Sequence, residues 1–114
     1  MYPRRGEIWT ANLGKSQEQH WVLVVSLDGR NLSNRIDSVL IVPFSGTPGE
    51  GPTIVKFEPG ETGLPGTSYL RCHYINVHPK AALKDRVGRV LSNTQMREVC
   101  KAIRRAYDVD APLN

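Results

Sequence analysis

Short runs of alternating apolar and polar residues fill most of this chain, and helical spacing replaces them only near the end. Period two marks a half-buried strand, and i, i+3, i+4 spacing marks a helix face. Residues 7–12 (EIWTAN) alternate and read as a first strand; 15–19 (KSQEQ), after Gly14, read as a polar loop. Residues 21–27 (WVLVVSL) form a β-branched run, read as a strand buried on both faces for most of its length. Asp28-Gly29 signals a turn, and 31–36 are irregular, with room for a single helical turn. A third strand is read over 38–44 (SVLIVPF), where Pro43 should mark an edge or the end of a ladder. A Gly/Pro-rich loop (45–52), a fourth strand (53–57) and another loop (60–66) follow.

Residues 68–79 (SYLRCHYINVHP) read as one further strand, and a polar connection leads to a last short strand near 87–91. Ser92 and Gln95 then have capping-box spacing. Met96, Val99, Cys100, Ile103 and Tyr107 fall on one helical face, with Arg97, Lys101, Arg104 and Arg105 off it. Five or six short strands broken by Gly and Pro, then one helix, predict a mainly β fold. It would be a small, curved antiparallel sheet or partial barrel with a C-terminal helix packed on it.

Composition narrows this little. A length of 114 residues with 39% apolar content allows one domain and one modest core. The net charge of +4 and pI near 9.3 favour an anionic partner without establishing one. Cys72 and Cys100 lack metal-type spacing and are expected as buried, reduced thiols. No signal peptide and no run long enough to span a bilayer is read, so a cytoplasmic protein is expected.

The chemistry is concentrated at Arg71 and His73. If 68–79 is one strand, these two share a face, setting a permanent cation beside an imidazole. That pair suits a phosphodiester, although a solvated strand face can look the same. Cys72 would then point the other way, into the core. His20 opens the second strand and Ser45 closes the third, so both could converge with the pair at one end of the sheet. Such a group suits RNA strand cleavage, in which the 2′-hydroxyl is the nucleophile. Two His would move the protons while Arg71 stabilises phosphoryl charge, and neither metal nor cofactor is required. His78, before Pro79, is expected at the surface; Trp9 and Trp21 are expected as core or interface anchors.

The order of these pieces resembles a MazF/PemK-type toxin, the ribonuclease of a bacterial toxin–antitoxin pair. The resemblance is carried by residues 5–9 (RGEIW), 18–19 (EQ), 22–26 (VLVVS), 41–45 (IVPFS), 63–64 (GL), 70–72 (LRC) and 87–92 (VGRVLS). It implies the plasmid-maintenance toxin fold, an SH3-like barrel with a C-terminal helix, in a homodimer. It further implies metal-independent cleavage of single-stranded RNA and a cognate antitoxin that lays an extended acidic segment over the RNA groove. By resemblance Arg71 and Ser45 fall at catalytic positions. The family's usual Arg-Pro is here His20-Trp21, and an expected acid is His73. Either the two His have taken over proton transfer or the protein only binds. The loops offered for RNA contact supply Lys15, Ser16, Gln17, Gln19 and Thr47. A gyrase poison of the same fold and a nucleic-acid-binding barrel without chemistry are the competing readings.

Overall fold

The apolar positions of the central strands serve two cores, one on each side of the sheet. In this computed structural model, which describes residues 2–113, β1 (Ile8–Leu13) turns through Gly14–Gln17 into β2 (Glu18–Val24). Alternation sends Ile8, Leu23 and Val42 to one face and Trp9, Ala11, Val22, Val24 and Ile41 to the other. That is why the WVLVV run carries no polar residue: neighbours of both parities are buried. A one-turn helix, α1 (Asp28–Asn31), leads to β3 (Ser38–Ser45), and β4 (Ile54–Phe57) is followed by a second, α2 (Pro59–Thr62). Then come β5 (Ser68–Arg71), β6 (Asn76–Pro79), β7 (Arg86–Val87) and the long helix α3 (Asn93–Arg105).

All pairings are antiparallel, in the order β4-β5-β3-β2-β1-β7, with β6 beside the first half of β3. Among the described residues the two ends of this path, β4 and β7, do not pair, so the sheet is curved and open. The mainly β architecture with a C-terminal helix is as expected. Helix α3 sets Met96, Val99 and Ala102 against Phe44, Phe57, Leu70 and Leu23. Its start is fixed by reciprocal bonds between Ser92 and Gln95.

Several boundaries differ from the sequence reading, each for a local reason. Strand β2 begins at Glu18, not Trp21, because the turn closes in four residues and Glu18 and Gln19 pair with Leu13 and Asn12. The stretch 68–79 is two strands, β5 and β6, separated by a 3₁₀ turn over Cys72–Tyr74. The turn lets the chain leave β4's side and rejoin β3 at Ile41. Pro43 does not end its strand: β6 pairs with β3 through Ile41 and β5 from Phe44, so the missing N–H falls where the partner changes. The last strand is Arg86–Val87, not 87–91. Tyr107 lies past the end of α3 and is exposed, while Met96, Val99 and Ala102 are buried on the helical face and Ile103 packs against the same core. Cys72 is buried as expected. Cys100 is only half buried and accepts an N–H from Arg5 at 3.1 Å.

His78 is not at the surface. On β6 it faces Val39, and the chain from Lys80 to Asp85 crosses above it to reach β1. The ring is buried with Nε2 unpartnered. Among the described residues no helix is long and apolar enough to cross a membrane.

Candidate functional site: an open cavity at the end of β2, β3 and β5

Cross-strand partners project from the same side of a sheet. The register Ala11↔His20, Val22↔Pro43 and Ser45↔Tyr69 therefore places His20, Pro43, Ser45, Tyr69 and Arg71 on one face. It is the face that buries Ala11, Val22 and Ile41 further along. Phe44, of opposite parity, points into the core under α3 and anchors the strand end. The outcome is an open cavity of about 370 Å³ lined by His20, Pro43, Phe44, Ser45, Gly46, Arg71 and Tyr74. Three of the four residues singled out for chemistry, His20, Ser45 and Arg71, thus share one cavity.

Each is held in a definite state. His20 Nδ1 lies 2.9 Å from the Glu18 carbonyl. A carbonyl only accepts, so Nδ1 carries the hydrogen and the neutral ring keeps its lone pair on Nε2. The Ser45 hydroxyl oxygen accepts from the Thr47 backbone N–H at 3.1 Å, which leaves its own O–H free to donate. Arg71 Nη2 donates to the Thr47 carbonyl at 3.1 Å. Thr47 therefore ties Ser45 and Arg71 together through its backbone, while its side chain is exposed. A Cβ at Gly49 would stand 3.4 Å from Arg71 Nη1, so the loop lies against the guanidinium. The remaining N–H groups of that fork make no bond within the protein among the described residues.

His73 stands apart. Strand β5 ends at Arg71, and on the 3₁₀ turn residues two apart no longer share a face. Its Nδ1 is 2.8 Å from Thr53 Oγ1, and its ring lies 4.4 Å from that of Tyr74. The expected pairing of Arg71 and His73 on one strand face is therefore not formed. Tyr74 occupies the cavity instead, and no periodicity marked it. Tyr69 and Lys56 are cross-strand partners, on the same face as Ser45. They line a neighbouring cavity of about 270 Å³. Tyr69 was within reach of sequence reasoning, being two positions from Arg71 on a true strand.

Of the loop residues offered for RNA contact, Lys15 and Ser16 are exposed at the β1–β2 tip. Gln19 is inside β2 and borders a shallow cavity with His20 and Trp21. Gln17 borders a different cavity, between the hairpin tip and β6. Among the described residues no cluster of His, Cys, Asp and Glu could hold a metal ion.

A family model described as PemK-like, MazF-like toxin of type II toxin–antitoxin system matches residues 4–107. The chain belongs to this family. Its structure is similar to that of a mycobacterial endoribonuclease solved with its cognate antitoxin. The two chains are 27% identical with a TM-score of 0.80, over 96% of this chain and 99% of that one. A second mycobacterial endoribonuclease is 26% identical at a TM-score of 0.78, over 98% and 97%. Toxin MazF-mt6 of Mycobacterium tuberculosis, at 23% identity and a TM-score of 0.77 over 91% and 98%, shares the fold. No curated protein sequence matches the chain.

Proposed function

We propose that this toxin-family protein is a metal-independent endoribonuclease that cleaves single-stranded RNA, acting at the cavity of His20, Ser45 and Arg71. The observation that carries the reading is the gathering of a base-type imidazole nitrogen, a free hydroxyl donor and an incompletely bonded guanidinium in one open cavity. His20 Nε2 takes the proton of the 2′-hydroxyl. The 2′-oxygen attacks phosphorus, and the bond to the 5′-oxygen breaks, leaving a 2′,3′-cyclic phosphate. Arg71 and the Ser45 hydroxyl stabilise the charge that grows on the phosphoryl oxygens. We assign the proton on the leaving 5′-oxygen to His73, which lies outside the cavity lining with its ring 4.4 Å from that of Tyr74. Gln19 and Thr47 belong to the RNA path beside this cavity, and Lys15, Ser16 and Gln17 at the β1–β2 tip extend it.

The same cationic cavity suits an extended acidic segment of a cognate antitoxin, and a homodimer is the proposed assembly. The solved mycobacterial complex with an antitoxin supports the former.

The test is incubation of the pure protein with mixed RNA in EDTA. Defined fragments ending in cyclic phosphate are expected, with a loss of about 10²–10³-fold in Arg71→Ala and about 10²–10⁴-fold in His20→Ala. His73→Ala should abolish cleavage at neutral pH; full activity in that variant removes His73 from the mechanism. Intact RNA with inhibited supercoiling would replace this reading with gyrase poisoning. Intact RNA with salt-sensitive binding would leave a binding protein.

A further inference from the structure

A second open cavity is larger than the one around Arg71. It measures about 590 Å³ and lies between the β1–β2 hairpin tip and the segment that crosses from β6 to β7. Leu13 and Ala82 give it apolar walls; Asn12, Gln17 and Asn76 give it amide edges; Lys84 gives it a cation. His78 lies beneath it, buried and with Nε2 unpartnered. The volume is in the range that holds a nucleotide.

The cavity continues the RNA path. Asn76 pairs with Ile41, two residues before Pro43 and on the same face, and Pro43 lines the Arg71 cavity. Tyr74 lines the Arg71 cavity, and its carbonyl accepts a bond from Asn76. A strand leaving Arg71 past Tyr74 therefore meets Asn76 next.

We infer that this cavity seats one base of the substrate RNA, flanking the cleaved nucleotide, and selects bases that carry an exocyclic amino group. The selection follows from how two amides are held. Gln17 Nε2 donates to the Gly14 carbonyl at 2.8 Å, and Asn76 Nδ2 donates to the Tyr74 carbonyl at 3.1 Å. Both acceptors are carbonyls, so each amide nitrogen is anchored to the protein and each amide oxygen is left as an acceptor without a partner among the described residues. The cavity edge thus offers acceptor oxygens, which match the amino groups of adenine, cytosine and guanine and match uracil least well. Apolar walls suit the faces of a base, and Lys84 suits the adjoining phosphate.

The inference rests on the RNA-cleaving reading above. Its test maps cut sites in a randomised RNA pool for the wild type, Gln17→Ala/Asn76→Ala and Lys84→Ala. At one fixed position beside the cut, the wild type should disfavour uracil by about 10-fold, the discrimination of a polar base contact. The double variant should lose that preference and keep those at other positions. Lys84→Ala should weaken binding of an uncleavable 2′-O-methyl RNA several-fold, with a shallower salt dependence and the preference intact. The altered residues are exposed, so folding is preserved. If the wild type cuts and the double variant keeps the same preference, the base-seat inference falls while the RNase reading stands. If an acidic peptide or a second copy of the chain, but not RNA, perturbs the amide resonances of Gln17 and Asn76, the inference is overturned in favour of that occupant. A wild type that neither cuts nor binds RNA overturns both.

Discussion

Three glycines separate the costs of backbone conformation and of close approach. Gly29 lies in α1 with open space around it and no positive φ; Gly14 has φ +74 and open space; Gly88 has φ +65. At Gly88 an added Cβ would stand 2.4 Å from the Thr62 carbonyl oxygen. That oxygen also accepts the Arg89 N–H at 2.7 Å, so it cannot retreat without losing a bond. Gly29→Ala should be neutral or stabilise by about 0.5–1 kcal/mol. Gly14→Ala should cost about 1–2 kcal/mol, the expense of a left-handed L-residue. Gly88→Ala adds to that the displaced carbonyl and the broken bond, about 1–3 kcal/mol more. The assay is urea denaturation. With a slope of about 2 kcal/mol per molar, the midpoint should fall by about 0.5–1 M for Gly14→Ala and about 1–2.5 M for Gly88→Ala. Equal midpoints for the two would mean that Gly88 does not press on the end of α2, and the reasoning would fail.

Other consequences are local. Burial, with a smaller contribution from Cys100, pushes the Cys72 thiol up to about 12 from an ordinary 9.0. A raised folded value means that this stabilisation is complete below about pH 9 and lost as pH climbs towards 12. The wild type should therefore lose up to about 1.4 kcal/mol more per pH unit there than Cys72→Ala, seen as diverging denaturation midpoints. Glu7 Oε1 accepts from the Arg4 N–H at 2.7 Å and from Trp9 Nε1 at 3.1 Å. Glu7→Leu strands both donors and should cost about 2–4 kcal/mol by thermal melting, with Glu7→Gln much milder. Ser92→Ala removes the bond to the Gln95 N–H and should cost about 1 kcal/mol in the same assay.

What the sequence determined by itself was the pattern of burial and the start of the helix. The WVLVV run demanded a strand covered on both sides, and Ser92 with Gln95 demanded a cap, because both signals are local and each has one low-energy solution. It also supplied His20, Ser45 and Arg71 as candidates, though by residue type and position rather than by contact. The tertiary structure decided the rest. Register alone put His20, Ser45 and Arg71 on one face, since pairing between strands distant in sequence leaves no local trace. The same is true of His78, which lies under a crossover that its own neighbours do not announce. His73 shows the limit most directly. Period-two reasoning holds only while the chain remains a strand, and the strand ends at Arg71 because the backbone must turn to pass from the second half of β3 to its first. Alternation in residues 68–79 could not reveal that break, so Tyr74, and not His73, came to line the cavity.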